Sequence, residues 1–241
     1  EILIQRQDTH LDSLAARLRE PRVRRVLEPM LAGQFVEDMP YDDRQFVVDL
    51  GLVRRDPSAG LVVANPIYRE VIPRVLASGA YDTLPALQPI WLTPDGTLDA
   101  AKLLDAFLEF WRQHGEPLLK AAPYHEIAPH LVLMAFLHRV VNAGGSLERE
   151  YAIGTRRMDI CVRYKGLTLA IEVKTWRDSD HKGDPLAEGL KQLDAYLVGL
   201  GLDTGWLVIF DQRSGLPPIA ERTMAEQAVT PGGRSVVVVR G

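Results

Sequence analysis

The run from Leu167 to Trp176, LTLAIEVKTW, constrains the fold more than any other part of the sequence. It is strand-like, and successive side chains of a strand point to opposite faces. Ala170, Glu172 and Lys174 therefore share one face, and the apolar residues between them share the other. Burying a charge costs several kcal/mol unless the charge is paired or bound to a metal. An acid and an ammonium on a strand suited to burial therefore indicate either a simple ion pair or a functional site.

A second acid, Asp159, lies in the strand-like run that precedes this one. If the two runs form a hairpin with its turn at 165–166, Asp159 and Glu172 are equally distant from the turn and face each other. The β-carbons of directly opposed residues lie about 4.5–5.5 Å apart. Two carboxylates at that distance repel, and a divalent cation between them removes the conflict because Mg²⁺ takes carboxylate oxygens as ligands. The spacing predicts a metal site formed by Asp159 and Glu172, with Lys174 beside it.

The chemistry that suits this trio is hydrolysis of a phosphodiester bond. A bound metal neutralises phosphate charge and lowers the pKa of a coordinated water. The ammonium of Lys174 can orient that water or stabilise the charge that develops in the transition state. The alternative for this strand is an ion pair between Glu172 and Lys174 with no catalytic role.

The second half of the chain alternates helices and strands in the order α-β-β-β-α-β-β, which predicts one mixed sheet flanked by helices. The fold class is therefore α/β in this region. The predicted elements are a helix at His130–Asn142, strands at Leu147–Ile153, Met158–Tyr164 and Leu167–Trp176, a helix at Pro185–Leu200, and strands at Trp206–Phe210 and Val236–Val239.

The first half is mainly helical and has the element order of a winged helix, three helices followed by a β-hairpin. We predict a winged-helix-like domain over residues 1–80, a linker and connecting helix over 81–120, and the α/β domain over 121–241. The connecting helix runs from Ala100 to Gln113, with Asp99 as its cap and Gly115 as its end. The elements of the first domain are helices at His10–Arg19, Pro21 to near Gly33 and Asp42–Leu50, and strands at Leu52–Arg54 and Leu61–Ala64.

Five arginines cluster in the first two of these helices. Residues 17, 19, 22, 24 and 25 are all arginine, and Glu20 and Glu28 interrupt the cluster. Arginines at helical spacing most often form a solvated face, so we expect a packing or regulatory role for this domain. Contact with DNA is the alternative.

Asp159, followed by Glu172-Val173-Lys174, resembles the motif of the PD-(D/E)XK nuclease superfamily, with Met158 where the motif's name places proline. The resemblance implies a restriction-endonuclease-like αβββαβ core, which matches the element order of the second half. It also implies that Asp159, Glu172 and Lys174 are catalytic. The metal, Mg²⁺ or Mn²⁺, would be held by Asp159, Glu172 and the main-chain carbonyl of Val173.

Gln192 and Tyr196 add a second point of resemblance. They form the Gln-x-x-x-Tyr signature of the superfamily branch that includes bacterial recombination exonucleases. Residues four apart share one helix face, here on the helix that follows the motif strand. The resemblance implies that both side chains help to position the nucleic-acid backbone or the active site.

The superfamily also takes an acid, or in the exonuclease-like branch a histidine, from its first core helix. Glu126 and His130 are the candidates in this sequence, and both are predicted to complete the metal site. Glu148 and Glu150 in the first strand compete with them for that role. Glu126 has the alternative role of complementing the positive end of the helix dipole.

The whole sequence also resembles the C-terminal part of bacterial and archaeal AAA-type ATPases that end in a PD-(D/E)XK domain. The resemblance rests on NPIYREVI from Asn65, YHEIAPHL from Tyr124 and WLVIFD from Trp206. It implies that the ATPase region of the same parent chain is a partner, and the first residue, Glu1, fits a piece of a longer polypeptide. No Gly-x-x-x-x-Gly-Lys-Ser/Thr loop occurs, so this chain does not hydrolyse ATP by that route.

Composition excludes several classes of protein. With 46% apolar and 25% charged residues the chain is not of the disordered type. No apolar run reaches the ~18 residues that a membrane helix needs, so we expect no membrane partner. A single cysteine, Cys161, excludes an internal disulfide framework and a multi-cysteine zinc site, and fits the cytoplasm, where we expect the protein.

Charge leaves two functions open. Residues 1–120 hold 14 Lys and Arg against 18 Asp and Glu, and residues 121–241 hold 14 of each. Neither half is basic enough to predict nucleic-acid binding from bulk charge.

We expect a metal-dependent nuclease that acts on nucleic acid, with DNA as the substrate. The alternative is a non-catalytic module that binds nucleic acid or a partner and regulates the ATPase; the oligomeric state stays open.

Overall fold

The computed structural model describes residues 9–31, 39–57, 60–65, 67–68, 71–72, 75–76, 89–121, 127–141, 145–151, 158–178 and 183–241. The side chains of residues 145–151, Met158 and Asp159 lie outside the description, although their backbone is in it. Backbone contacts divide the chain into two compact units. The first takes in residues 1–83, 121–135 and 151–158, and the second takes in 84–120, 136–150 and 159–241. The domain limits at 80 and 120 stay predictions.

The first unit contains three helices followed by a hairpin, the order predicted from the sequence. Its strands pair antiparallel from Val53 opposite Val63 to Asp56 opposite Gly60. Val23, Val26 and Leu27 are fully buried, which accounts for the apolar stripe of the second helix. The elements are α1 (Thr9–Leu18), α2 (Pro21–Leu31), α3 (Tyr41–Asp49), β1 (Val53–Asp56) and β2 (Gly60–Val63).

The arginine cluster of this unit is engaged in ion pairs. Asp43 of α3 is buried, and its two carboxylate oxygens lie 2.8 Å from Arg22 Nε and 3.1 Å from an Nη nitrogen of Arg25. Arg17 pairs with Glu20 at 2.7 Å. The two pairs with Asp43 connect α2 to α3, which fits a packing role for these two arginines.

The second unit is built on a mixed sheet with helices on both sides, so the predicted α/β class is confirmed. Its strands lie in the order β3-β4-β5-β6-β8-β7. β5, β6 and β8 run parallel, whereas β4 and β7 are antiparallel to their neighbours β5 and β8. The elements are α4 (Ala100–Ala121), α5 (Ala128–Val141, shared with the first unit), β3 (Gly145–Tyr151), β4 (Met158–Tyr164), β5 (Leu167–Trp176), α6 (Leu186–Leu200), β6 (Gly205–Asp211), α7 (Ile219–Arg222), β7 (Met224–Val229) and β8 (Ser235–Arg240).

The two faces of the sheet are packed differently. One face packs against α6 through a cluster of small and branched aliphatic side chains. The other face meets aromatic residues of α4, among them Trp111, whose ring lies 4.7 Å from that of Phe210. Because side chains alternate along β5, Glu172 and Lys174 lie on the α6 face. The aliphatic cluster consists of Ala170, Leu193, Leu197, Leu207, Ile209, Val236 and Val238.

Helix α4 begins where predicted, but its predicted end is wrong. Asp99 Oδ1 accepts hydrogen bonds from the backbone N–H groups of Ala101 and Lys102, at 3.0 and 3.1 Å, and so caps the helix. The helix then continues through Gly115 to Ala121. A β-carbon on Gly115 would lie 3.2 Å from the side chains of Trp111 and Ile219. This glycine therefore permits close packing and does not end the helix.

Strand β7 was not predicted. Its sequence, MAEQAV, has neither the alternation nor the β-branched content that indicates a strand. It lies at the edge of the sheet and is largely exposed, so its polar residues face solvent.

No helix in the described part of the chain is long and apolar enough to cross a bilayer.

Candidate active site

The hairpin of β4 and β5 has the register predicted from the sequence. The pairs run from Ile160 opposite Ile171 to Tyr164 opposite Leu167. The turn between them is Lys165-Gly166, and both residues have positive φ, 42° and 89°, as the tightest hairpin turns require. Extended by one pair beyond Ile160 and Ile171, the same register would set Asp159 opposite Glu172. Asp159 belongs to β4, but its side chain lies outside the described part of the structure.

Glu172 and Lys174 form a buried ion pair on β5. Glu172 is wholly buried and Lys174 is 8% exposed. The ammonium Nζ of Lys174 donates a hydrogen bond to Glu172 Oε1 at 2.5 Å. Their neighbours across the parallel ladder are Leu207 and Ile209, both buried. On the β6 side the two charges are lined by apolar side chains, and their removal from water makes the Coulomb interaction stronger.

Helix α6 supplies the second acceptor for the same ammonium. Gln192 Oε1 accepts a hydrogen bond from Lys174 Nζ. The amide nitrogen of Gln192 in turn donates to Glu188 Oε1 at 3.2 Å. The Gln192 amide is thus oriented by the Lys174 ammonium as donor and by the Glu188 carboxylate as acceptor. Gln192 contacts the ammonium from the helix, and Glu172 contacts it from the strand.

Glu188 is a member of this group that the sequence analysis missed. It lies one turn before Gln192, on the helix face that also carries Tyr196. The signal in the sequence was the spacing of four residues between successive polar positions, at 188, 192 and 196. An acid in the first turn of a helix is common for electrostatic reasons alone, so its position did not single it out.

Tyr196 packs against the aliphatic cluster between α6 and the sheet, and it is half-buried. Of the two signature residues, Gln192 contacts Lys174, while Tyr196 lies one turn further along the helix. A role for Tyr196 in positioning nucleic acid stays a prediction.

The remaining predicted ligands are placed only in part. His130 lies in α5 and is buried, in the segment that belongs to the first unit. Val173 is buried in β5. Glu126, and the side chains of Glu148 and Glu150 in β3, lie outside the described part of the structure. Which of these residues completes the site stays open.

The predicted donors are of the kind that a hard divalent cation takes. Two carboxylates from paired strands and a backbone carbonyl are the oxygen ligands that Mg²⁺ and Mn²⁺ prefer. A carboxylate such as Glu172, removed from water, gains from a cationic neighbour. Among the side chains that the structure describes, no three His, Cys, Asp or Glu residues are grouped to hold a metal. The predicted ligands Asp159 and Glu126 are outside that set.

Comparison with known proteins found no protein-family model, no curated protein and no solved structure that matches the chain. The chemistry available at this site follows from its own residues. They are a buried carboxylate, an ammonium held by two acceptors, and a second acid expected across the hairpin.

Proposed function

We propose that the chain is a Mg²⁺- or Mn²⁺-dependent nuclease that hydrolyses phosphodiester bonds of nucleic acid, with DNA as the expected substrate. One observation carries the proposal. The Lys174 ammonium is fixed between Glu172 and Gln192, on a strand pair whose register, extended by one pair beyond Ile160 and Ile171, would set Asp159 opposite Glu172. An ion pair that served only to fill the core would not require a second acid at that position.

Asp159, Glu172 and the carbonyl of Val173 would hold the metal; a further ligand from the first core helix, Glu126 or His130, stays a prediction. When bound, the metal neutralises phosphate charge and lowers the pKa of a coordinated water. Glu172 also holds Lys174 in place through its Oε1. This carboxylate thus connects the ammonium to the metal site.

Lys174 would orient the attacking water and stabilise the negative charge of the transition state. A preorganised cation in a site of low dielectric stabilises such charge more than it would in water. Gln192 is the positioning residue, because its amide fixes the ammonium from α6 and is itself oriented by Glu188. Neither acceptor is on a flexible loop, since both belong to a strand or a helix.

The order of elements supports the family assignment. From α5 to β6 the chain runs α, β, β, β, α, β, which is the order of the restriction-endonuclease-like core. The helices and hairpin of the first unit fit a winged helix. We propose that the chain is the winged-helix and nuclease part of a cytoplasmic AAA-type ATPase.

The test is cleavage of single- and double-stranded DNA in Mg²⁺ or Mn²⁺ by wild type and by variants that keep side-chain shape. We expect Asp159→Asn, Glu172→Gln and Lys174→Met each to reduce the rate by at least a factor of about 100. Asp194→Asn is the matched control. It makes the same chemical change as Asp159→Asn in a carboxylate that pairs with Arg234.

The control should keep the wild-type cleavage rate. Cleavage that survives all three site substitutions would contradict the proposal. Thermal unfolding of every variant separates loss of the site from loss of the fold.

The second candidate is a non-catalytic module that binds nucleic acid or a partner. It is favoured by the mutual neutralisation of Glu172 and Lys174 and by the zero net charge of residues 121–241. A module of this kind would bind its partner without metal and would cleave no DNA. The cleavage assay therefore separates the two candidates directly.

A further inference from the structure

A second group of side chains lies at the carboxyl ends of β5 and β6, next to the candidate active site. Trp176 is the last residue of β5, and its partner across the ladder is Asp211, the last residue of β6. Because Trp176 is two residues after Lys174, both side chains project from the same face of the sheet. The distance between them along the strand is about 6.6 Å. One nucleotide of an extended strand can span that distance.

Arg213 lies flat on Trp176. Its guanidinium carbon is 3.4 Å from the centre of the indole ring, which requires the two planes to be in face-to-face contact. The guanidinium is also held edge-on by Asp211. Nε donates to one carboxylate oxygen at 2.9 Å, and Nη2 donates to the other at 2.6 Å. The aromatic ring and the two-pronged carboxylate together fix both the position and the plane of this side chain.

The backbone around this stack is fixed as well. The N–H of Gln212 donates to the carbonyl of Trp176 at 2.8 Å, and the N–H of Ser214 donates to Asp178 Oδ2 at 3.0 Å. The segment after β6 is thus hydrogen-bonded to the end of β5. A ligand that uses this surface would lose little affinity to the ordering of side chains.

The contacts with Trp176 and Asp211 use one face and one edge of the Arg213 guanidinium. Its side chain is 34% exposed, and its charge is already compensated by Asp211. A phosphate would have to compete with that carboxylate. A nucleobase would not, because it stacks on the guanidinium plane through dispersion and cation–π attraction.

We propose that Arg213, supported by Trp176, stacks an unpaired nucleobase of the strand whose phosphate reaches Lys174. The inference rests on the proposed nuclease function and adds a substrate class, single-stranded nucleic acid or a frayed duplex end. Bases within an intact duplex are stacked on each other and do not present a free face. Arg213 is therefore a positioning residue that places the strand and does not take part in the chemistry.

The experiment measures binding of labelled oligothymidylate by fluorescence anisotropy, with Ca²⁺ in place of Mg²⁺. A second oligonucleotide has the same backbone but abasic sites, so the phosphate charge is unchanged. We expect wild type to bind the base-containing strand about tenfold more tightly. Arg213→Lys keeps the charge but loses the plane, and should reduce this preference to within about twofold.

Arg234→Lys is the matched control. Arg234 also pairs with an aspartate, Asp194, and is 26% exposed, but it precedes β8 at the amino end of the parallel strands. This variant should keep the wild-type preference.

Intrinsic fluorescence gives a second readout, because Trp91, Trp111 and Trp206 are at most 3% exposed and Trp176 is half-buried. Oligothymidylate should change the fluorescence of wild type but not that of Trp176→Phe.

Equal binding of the two oligonucleotides by wild type, or a full preference in folded Arg213→Lys, would overturn the inference. The nuclease proposal has a separate readout. If DNA cleavage needs Lys174 but both oligonucleotides bind equally, the stacking proposal is contradicted and the nuclease proposal stands. If the base preference needs Arg213 but no DNA is cleaved, the stacking proposal stands and the nuclease proposal is contradicted.

Discussion

Among single residues, Lys174 determines most of what the proposed site can do. Its ammonium is nearly buried, and its acceptors are Glu172 Oε1 and Gln192 Oε1. Removing one partner of such a pair typically costs about 3–5 kcal/mol, because the remaining charge is left buried. A buried pair is also often no more stable than well-packed apolar residues of the same volume. Stability alone therefore gives little reason to place this pair in the core, whereas the proposed catalysis would give a specific one.

Asp211 provides a prediction about pH. Burial alone would raise the pKa of Asp211, but the hydrogen bonds from the Arg213 side chain and backbone outweigh it, and the pKa falls below its ordinary value of 3.8. A depressed pKa in the folded state adds stability that is present above the unfolded value and is lost as the pH falls through the folded value. We expect Asp211→Asn to remove part of the loss of stability below about pH 4.

Urea unfolding from neutral to acid pH checks this prediction. At neutral pH the variant should be less stable than wild type, and the two curves should converge at acid pH. Parallel curves over the whole range would show that Asp211 and Arg213 do not interact as described. The pH dependence of Asp211→Asn is compared with that of Asp194→Asn, because hydrogen bonds from Thr230 and Arg234 also lower the pKa of Asp194.

Among the elements, helix α6 matters most for the site, because it carries the amide that holds Lys174. The helix lies close to the sheet at Gly189. A β-carbon there would be 2.6 Å from Leu207 Cδ1 and 2.9 Å from Leu207 Cδ2. Leu207 is fully buried in β6, so it has little room to move. Glycine at this position therefore sets the distance between the helix and the strand.

Two glycines of α6 form a matched pair for testing this point. Gly189→Ala should lower the free energy of unfolding by about 1–3 kcal/mol through overpacking. Gly199→Ala should raise it by about 0.5–1 kcal/mol, because alanine favours the helix, and a β-carbon there meets nothing within 4 Å. Denaturant unfolding of both variants measures the difference. Equal effects would mean that the approach at Gly189 is not tight.

The sequence predicted those elements whose pattern is local. The alternation in β5 and the Lys165-Gly166 turn were sufficient for the register of the hairpin, because side chains of period two fix which face is buried. Strand β7 could not be found this way, since an exposed edge strand has no apolar face to reveal it. Gly115 was misread because a glycine that allows close packing and one that ends a helix look alike in sequence.

The contacts that join distant parts of the chain were also beyond the sequence. The family signature implied a positioning role for Gln192 but not its contact with Lys174, and nothing in the sequence indicated the stack of Arg213 on Trp176. Both depend on how α6 and the end of β6 lie against β5. That placement is decided by packing of the whole sheet, which no short pattern contains.

At the scale of the whole molecule, charge limits how the chain can bind nucleic acid. The net charge is −4, and residues 121–241 are neutral overall. A chain of this kind cannot rely on many Lys and Arg contacts to phosphate. If it binds DNA as proposed, the bound cation and a few positioned groups must supply the attraction, and the first unit must contribute little.

With so few basic contacts available, DNA binding should depend only weakly on salt. The slope of log K against log salt is about 0.9 for each neutralised phosphate. We expect a slope of magnitude below about 4, together with a marked loss of binding when a chelator removes the metal. Anisotropy titrations at several salt concentrations measure it. A slope above about 6 that is insensitive to chelator would indicate instead a basic surface such as the arginines of α2.

Calorimetric titration with Mn²⁺ tests most directly whether Asp159 and Glu172 share a cation. The full 241-residue chain should bind Mn²⁺, and Glu172→Gln and Asp159→Asn should each abolish the binding, while Asp194→Asn should leave it unchanged. Binding of Mn²⁺ by folded Glu172→Gln as tight as that of wild type would contradict a shared cation. No uptake of Mn²⁺ by wild type at millimolar concentration would contradict it equally.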